Sequence, residues 1–256
     1  MDLAIETHQL TRFFDKFCAV DGIDLRVQRG TFYGFLGPNG AGKSTTIKML
    51  TGLLAPSKGK IHVLGKNMRN PDESLEVKRQ VGVVPEDLAL FDNLTAREYL
   101  TFVGRMYLLP RDTIRSRIDD LLPLLGLENE EKKLAMEYSH GMKKKLALAA
   151  ALLPNPDLLF LDEPFEGVDA VTSRVIRDLL AGYVERGSTV FLTSHVLEIV
   201  EKLCTHVGII VKGALVEQAS LDEIRKDGSL EDRFLERAGA DSDTSHKLSW
   251  LEEEAS

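Results

Sequence analysis

Along this chain the spacing of hydrophobic positions changes character twice. Near the N-terminus, short apolar stretches at Leu3 to Leu10, Ile23 to Val27 and Phe32 to Leu36 read as strands. A helical run from Ser44 to Leu54 comes next, then strands at Ile61 to Leu64 and Val81-Gly82-Val83-Val84-Pro85. From Leu88 to Leu153 the pattern becomes helical. Thr95-Ala96-Arg97-Glu98 forms a capping box, which predicts a helix from Ala96 toward Tyr107. A second helix is expected from Thr113 to Leu125, stopped by Gly126, and a third after Ser139. Strand signals then return at Leu158 to Leu161, at Thr189 to Thr193, and in a hairpin from Val207 to Val211 and Ala214 to Glu217 that turns on Lys212-Gly213. Helices are expected over Val171–Arg186 and Val196–Leu203, and Ser220-Leu221-Asp222-Glu223 caps another. Strands alternating with helices predict an α/β fold on a mainly parallel sheet, with the all-helical stretch as an inserted lobe. The residues from Ala240 to Ser256 are polar and acidic despite Trp250, and are expected to be frayed.

Composition narrows the class. The chain has 256 residues, 43% hydrophobic and 28% charged, the values of a soluble globular protein with a large core. Forty acidic against 32 basic residues give a net charge of −8, which argues against a nucleic-acid partner. Cys18 and Cys204 are far apart and outside any C-x-x-C pair, so they are expected as buried thiols in a reducing compartment. Met1 to Glu6 carries acids where a secretory signal has a basic start, and the longest apolar run, Leu146 to Leu153, falls short of the roughly 20 residues of a membrane span. A cytoplasmic protein is expected; any membrane role needs a second polypeptide to supply the span.

One segment carries specific chemistry. Gly37-Pro38-Asn39-Gly40-Ala41-Gly42-Lys43-Ser44-Thr45 has the form G-x-x-x-x-G-K-S, between a buried strand and the start of a helix. Its backbone N–H groups can wrap phosphate oxygens at a helix N-terminus, Lys43 offers a point charge to the β- and γ-phosphates, and the Ser44 hydroxyl can reach Mg²⁺. Leu158 to Leu161 delivers Asp162 and Glu163 from the end of a strand, where ligands collect in parallel sheets. Asp162 is suited to hold Mg²⁺ and Glu163 to accept a proton from an attacking water. His195, beyond the strand Thr189 to Thr193, is expected to contact the γ-phosphate and orient that water. Tyr138-Ser139-His140-Gly141-Met142 opens a helix, with Ser139 as its cap and the amides after it as a second anion site; the lysines Lys143 to Lys145 read as a solvated face. Two anion sites in one chain make sense if a symmetric dimer closes each nucleotide between one copy's loop and the other's capped helix.

The ordered set of phosphate loop, Tyr138–Met142, Leu158–Glu163 and His195 resembles the nucleotide-binding subunit of ATP-binding cassette (ABC) transporters. The resemblance covers roughly Leu3 to Leu235. It implies a P-loop NTPase (RecA-like) core with an N-terminal antiparallel β subdomain and an inserted α-helical subdomain. The ABC ATPase domain would span 1–235, with the core at 1–87 and 154–228 and the lobe at about 88–153, ahead of a flexible acidic tail at 236–256. It also implies ATP and Mg²⁺ as cofactors, Phe14 stacking on adenine, Ser139 and Gly141 contacting the γ-phosphate across a head-to-tail dimer, and Asp169 linking the two sites. Glu86 stands where the family usually has a glutamine, as a nucleotide and Mg²⁺ contact. Tyr138, His140 and Met142 depart from the commoner Leu-Ser-Gly-Gly-Gln. These departures resemble bacterial exporters of drugs, lipids or peptides whose membrane subunit is a separate chain. The resemblance thus implies a peripheral ATPase at the cytoplasmic face of the membrane, with the segment Leu88 to Tyr107 receiving a permease helix. The alternative is a soluble ABC ATPase that drives a protein assembly such as iron–sulfur cluster building.

Overall fold

The continuous apolar runs become the middle of a six-stranded sheet. In the computed structural model, which describes residues 2–239, they are β4 (Phe32–Leu36), β7 (Val81–Val84), β8 (Leu158–Asp162) and β9 (Thr189–Ser194), completed by β10 (His206–Val211) and β11 (Ala214–Ser220). The strand order is β11-β10-β4-β9-β8-β7, parallel throughout except for the β10–β11 hairpin. Such strands are apolar at every position because both faces are covered. Phe32 and Leu36 of β4 face one core with Leu159 and Leu161 of β8 and Leu192 of β9. Tyr33 and Phe35 face the other with Phe160 and Phe191. The Phe191 ring is the hub of that second core, its centroid 5.5 Å from Tyr33, 5.4 Å from Phe35 and 5.7 Å from Phe160.

That second core is roofed by an antiparallel sheet of β1 (Leu3–Phe14), β2 (Phe17–Ile23), β3 (Arg26–Gln28), β5 (Lys58–Val63) and β6 (Lys66–Asn67), ordered β2-β1-β5-β6 with β3 also paired to β1. Here the strands differ from the sequence reading. β1 continues past Leu10 to Phe14 and returns through Asp15-Lys16 as β2, so Ile23 ends a strand that began at Phe17. The stretch expected as a single strand from Ile23 to Val27 is broken at Asp24, whose carboxylate accepts from the Gln9 N–H and side-chain amide, both at 2.7 Å.

The second core is also packed by α1 (Lys43–Leu50) and α2 (Pro71–Gln80), while α3 (Ala96–Met106), α4 (Arg111–Leu124) and α5 (His140–Leu152) pack the first. The capping box at Thr95 and Glu98 is formed, and α1 ends at Leu50 rather than Leu54. Helix α2 has no counterpart in the sequence reading. It is held by Asn70, which accepts from the Asp72 and Glu73 N–H groups, and it buries only Ser74 and Val77, too few apolar positions to set a period. The lobe residues Leu100, Ile114, Ile118 and Leu122 join the same core as β4, β8 and β9, so the lobe shares the sheet's interior. The described residues end with α6 (Ala170–Glu185), α7 (Leu197–Leu203), α8 (Leu221–Asp227) and α9 (Leu230–Ala238). Helix α9 carries ordered structure past 235, with Arg237 Nε donating to Glu217 at 2.8 Å and Gly239 as the C-cap. The expected tail from Ala240 onward, Trp250 included, lies outside the described residues. Among the described residues no helix is long and apolar enough to cross a membrane.

Candidate functional site

Parallel pairing sets the level at which the strands end. Leu36 of β4 lies opposite Ser194 of β9, Asp162 of β8 opposite Thr193 of β9, and Leu161 opposite Val84 of β7. The residues just beyond them, Gly37, His195, Glu163 and Pro85-Glu86, therefore leave the sheet side by side, at the carboxyl edge where ligands of such sheets bind.

The segment Gly37 to Gly42 turns from β4 into α1 between β2 and β10. Gly42 has φ 107°, and a Cβ there would lie 2.5 Å from the Ala19 carbonyl oxygen; a Cβ on Gly37 would collide with the Ile210 carbonyl. Only glycine fits either place. No side chain caps α1, so its first-turn N–H groups remain for an anion. The buried Lys43 folds back along the loop, its Nζ donating to the Gly37 carbonyl at 2.8 Å and lying 3.9 Å from Glu163 Oε1.

Glu163 is held from all sides. Its φ of 48° is a left-handed conformation that a residue with a side chain adopts only when its surroundings impose it. Its N–H donates to Thr193 Oγ1 at 3.0 Å, and its carbonyl accepts from Lys144 Nζ at 2.9 Å. Its Oε2 lies 3.0 Å from Nδ1 of the half-exposed His195. The same Thr193 hydroxyl donates to Asp162 Oδ1 at 2.5 Å. Burial pushes the Asp162 carboxyl above its ordinary range, against the hydrogen bonds from Thr193 and Ser44. The single Ser44 hydroxyl proton is shared between Asp162 and Glu86, whose Oε2 lies 3.2 Å from Ser44 Oγ. Ser44, Asp162 and Glu86 thus converge as oxygen donors alone, the hard set that suits Mg²⁺, and a cation among them would offset the burial of Asp162.

A cavity of about 470 Å³ collects most of the sequence-predicted residues. Phe14, Asn39, Gly40, Gly42, Lys43, Ser44, Thr45, Glu86, Glu163 and His195 line it, while Gly37, Pro38 and Ala41 complete the loop and Asp162 lies beneath. Ser139, Gly141 and Asp169 are not among its lining residues. Ser139 caps α5, accepting from the Met142 N–H at 3.3 Å. Asp169 caps α6, and the hydrogen bonds from the Thr172 hydroxyl and N–H hold its carboxyl below the usual range. A Cβ on Gly141 would lie 3.6 Å from the Gly167 carbonyl, which puts the start of α5 beside the segment leading to Asp169. Tyr138 is buried in the lobe and donates to the Glu130 carbonyl at 2.9 Å.

Five residues of the site escape the sequence reading, among them Ala19, which lines the cavity. Phe17 lines the cavity because it pairs with Phe14 across the hairpin, a signal that depends on placing β2. Glu166 lines it as well. Thr193 reads from sequence as strand only. Lys144 reads with its neighbours as a solvated face, yet it is 4% exposed. The Ala- and Leu-rich run beyond it, with Leu146 to Leu152 buried, is the signal that could have indicated this.

These are the working parts of a P-loop nucleoside triphosphatase. The family profile described as "ABC transporter" matches residues 20–166. The bacitracin transport ATP-binding protein BcrA of Bacillus licheniformis is 40% identical over 227 residues, 88% of this chain and 72% of that protein. The linearmycin resistance ATP-binding protein LnrL of Bacillus subtilis (strain 168) is 37% identical over 216 residues, 83% of this chain and 68% of that protein. A solved "ATP binding subunit of ABC transporter" superposes with a TM-score of 0.85 at 29% identity, covering 91% of this chain and 99% of the other. The chain belongs to the ABC transporter family, as its ATP-binding, ATP-hydrolysing subunit.

Proposed function

We propose that two copies of this chain, or this chain and a similar one, bind two ATP molecules head to tail and hydrolyse them to drive export through a separate membrane subunit. The observation that carries the catalytic part is the Glu163 carboxylate, set between Lys43 and His195 at the mouth of the glycine loop. In this reading the loop amides and Lys43 bind the triphosphate, and Phe14, with Phe17 beside it, offers a face to the adenine. Ser44, Asp162 and Glu86 would hold Mg²⁺, which when bound neutralises charge on the β- and γ-phosphates. Glu163 takes the proton from the attacking water, and His195 contacts the γ-phosphate and orients that water.

Ser139 and Gly141 supply the second half of the site to the partner's nucleotide. Support for this comes from their position: the start of α5 carries a capped set of first-turn amides outside the chain's own cavity. Asp169, adjoining that segment, links the two halves. Export is supported by the likeness to bacitracin transport and linearmycin resistance proteins, which also favours a transporter over a soluble assembly ATPase. The membrane partner would dock on the segment Leu88 to Tyr107, where the exposed rings of Phe91 and Phe102 lie 5.2 Å apart beside Tyr99. This would hold the chain at the cytoplasmic face of the membrane.

The test is Glu163→Gln. It is expected to keep ATP binding, to lower steady-state phosphate release by at least about 100-fold, and to accumulate an ATP-loaded dimer by size-exclusion chromatography. Wild-type turnover in that variant would remove Glu163 from its role. A monomer under those conditions would remove the shared site.

A further inference from the structure

Lys144 is a buried cation that the reaction described above leaves unused. It sits on α5, five residues beyond Ser139, and its Nζ donates to the Glu163 carbonyl at 2.9 Å and to the Glu166 carbonyl at 2.5 Å. The Glu166 carboxylate lies 3.8 Å away. Glu86 and Glu163 also bear on it electrostatically, opposing the burial that lowers its pKa. An ammonium has three donors and no acceptor on a flexible stem, so it can serve two carbonyls and a carboxylate together.

Its target is the residue whose backbone most needs holding. Glu163 has φ 48° and is anchored at both ends by side chains: its N–H by Thr193, its carbonyl by Lys144. Thr193 belongs to β9, the neighbour of β8 in the same sheet, and moves with it. Lys144 belongs to α5, which also begins with Ser139. Displacing α5 therefore pulls on one end of the Glu163 backbone while the other stays fixed.

We propose that Lys144 is a positioning residue: it ties the Glu163 backbone to α5, so that the carboxylate is aimed only when α5 is seated. This rests on the reading of Glu163 as general base and deepens it. With Ser139 gripping the partner's nucleotide, the tie makes one site's occupancy set the geometry of the other site's base. The link is direct, through a single side chain.

The experiment compares Lys144→Met, which keeps an unbranched stem one atom shorter and removes the donors, with Lys144→Gln, of that same shorter reach, which restores two donors without the charge. Both are assayed in the full chain with Mg²⁺ and ATP, beside Glu163→Gln. Lys144→Met is expected to lower kcat on the order of 100-fold, the cost of a small misplacement of a reacting group. The KM for ATP and the Kd of a fluorescent ATP analogue should change little, because the loop is untouched. Lys144→Gln is expected to recover most of that kcat. Lys144→Met combined with Glu163→Gln should turn over no more slowly than Glu163→Gln alone, since both act through one group.

Wild-type kcat in Lys144→Met overturns the proposal. So does failure of Gln to improve on Met, or a fall in nucleotide affinity that matches the fall in kcat. If Glu163→Gln itself turns over normally, the general-base reading fails first, and a slow Lys144→Met would then act by some other route. If Glu163→Gln is inactive while Lys144→Met is not, the base stands and only the tie is lost.

Discussion

Thr193→Val keeps a side chain's shape and removes one hydroxyl from the centre of the site. Thr193 is fully buried, donates to Asp162 Oδ1 at 2.5 Å and accepts from the Glu163 N–H at 3.0 Å. Losing a hydrogen bond to a charged acceptor costs about 1.5–3 kcal/mol, and leaving the Glu163 N–H unpaired about 1–3 kcal/mol. The two share one network and add incompletely, so about 3–4 kcal/mol is expected at pH 7.5. That is a large part of a domain's stability. The loss should also depend on pH. Asp162's folded pKa is raised by burial, so the folded state binds its proton more readily than the unfolded chain, and this group's contribution to stability falls as pH rises. Removing the Thr193 donor raises that pKa further. The variant's deficit should therefore be greatest above the raised folded pKa and shrink as pH falls through it toward the ordinary carboxylate value. Urea unfolding in EDTA between pH 8 and pH 5 measures this. A variant as stable as wild type at pH 7.5, or a deficit that widens on acidification, would refute the reasoning.

Two further outcomes test the scaffold. Phe191→Ala removes the ring that packs on Tyr33, Phe35 and Phe160 and should cost about 3–5 kcal/mol in chemical denaturation; a loss below about 1 kcal/mol would show that the aromatic hub collapses without penalty. Gly42→Ala places a Cβ 2.5 Å from the Ala19 carbonyl at φ 107°, so the loop must shift. Affinity for a fluorescent ATP analogue should drop at least about tenfold, and an unchanged Kd would mean that the loop's path is not what binds phosphate.

Legibility from the residues depended on whether local chemistry or distant packing decided the structure. The strands β4, β8 and β9 were legible because burial on both faces leaves an uninterrupted apolar run, and α3 because Thr95 and Glu98 cap it locally. Helix α2 buries only two residues and left no period to find. The β1–β2 hairpin was hidden because its partners pair across a register shift between Leu10 and Arg12, and its break at Asp24 is made by a side chain. The same division runs through the site. The glycine loop, Asp162, Glu163 and His195 lie directly at strand ends and could be placed from sequence. Thr193 and Lys144 matter only through residues about 20 to 30 positions away, as the separations of 31 and 19 in their hydrogen bonds attest.

The common level of the strand ends limits where this chain can change length. Deleting one residue inside β9 would draw the downstream residues back by about 3.3 Å and turn alternate side chains to the opposite face. Thr193 would lose Asp162, and His195 would fall short of Glu163. A deletion in β8 would withdraw both acids together. Insertions can be absorbed at the other edge of the sheet, in the connections at Asn155-Pro156 and Gly187-Ser188 that precede β8 and β9, where an added residue lengthens a turn and leaves the ladder aligned. Length variation among relatives should accordingly gather at that amino-terminal edge and spare the strands themselves.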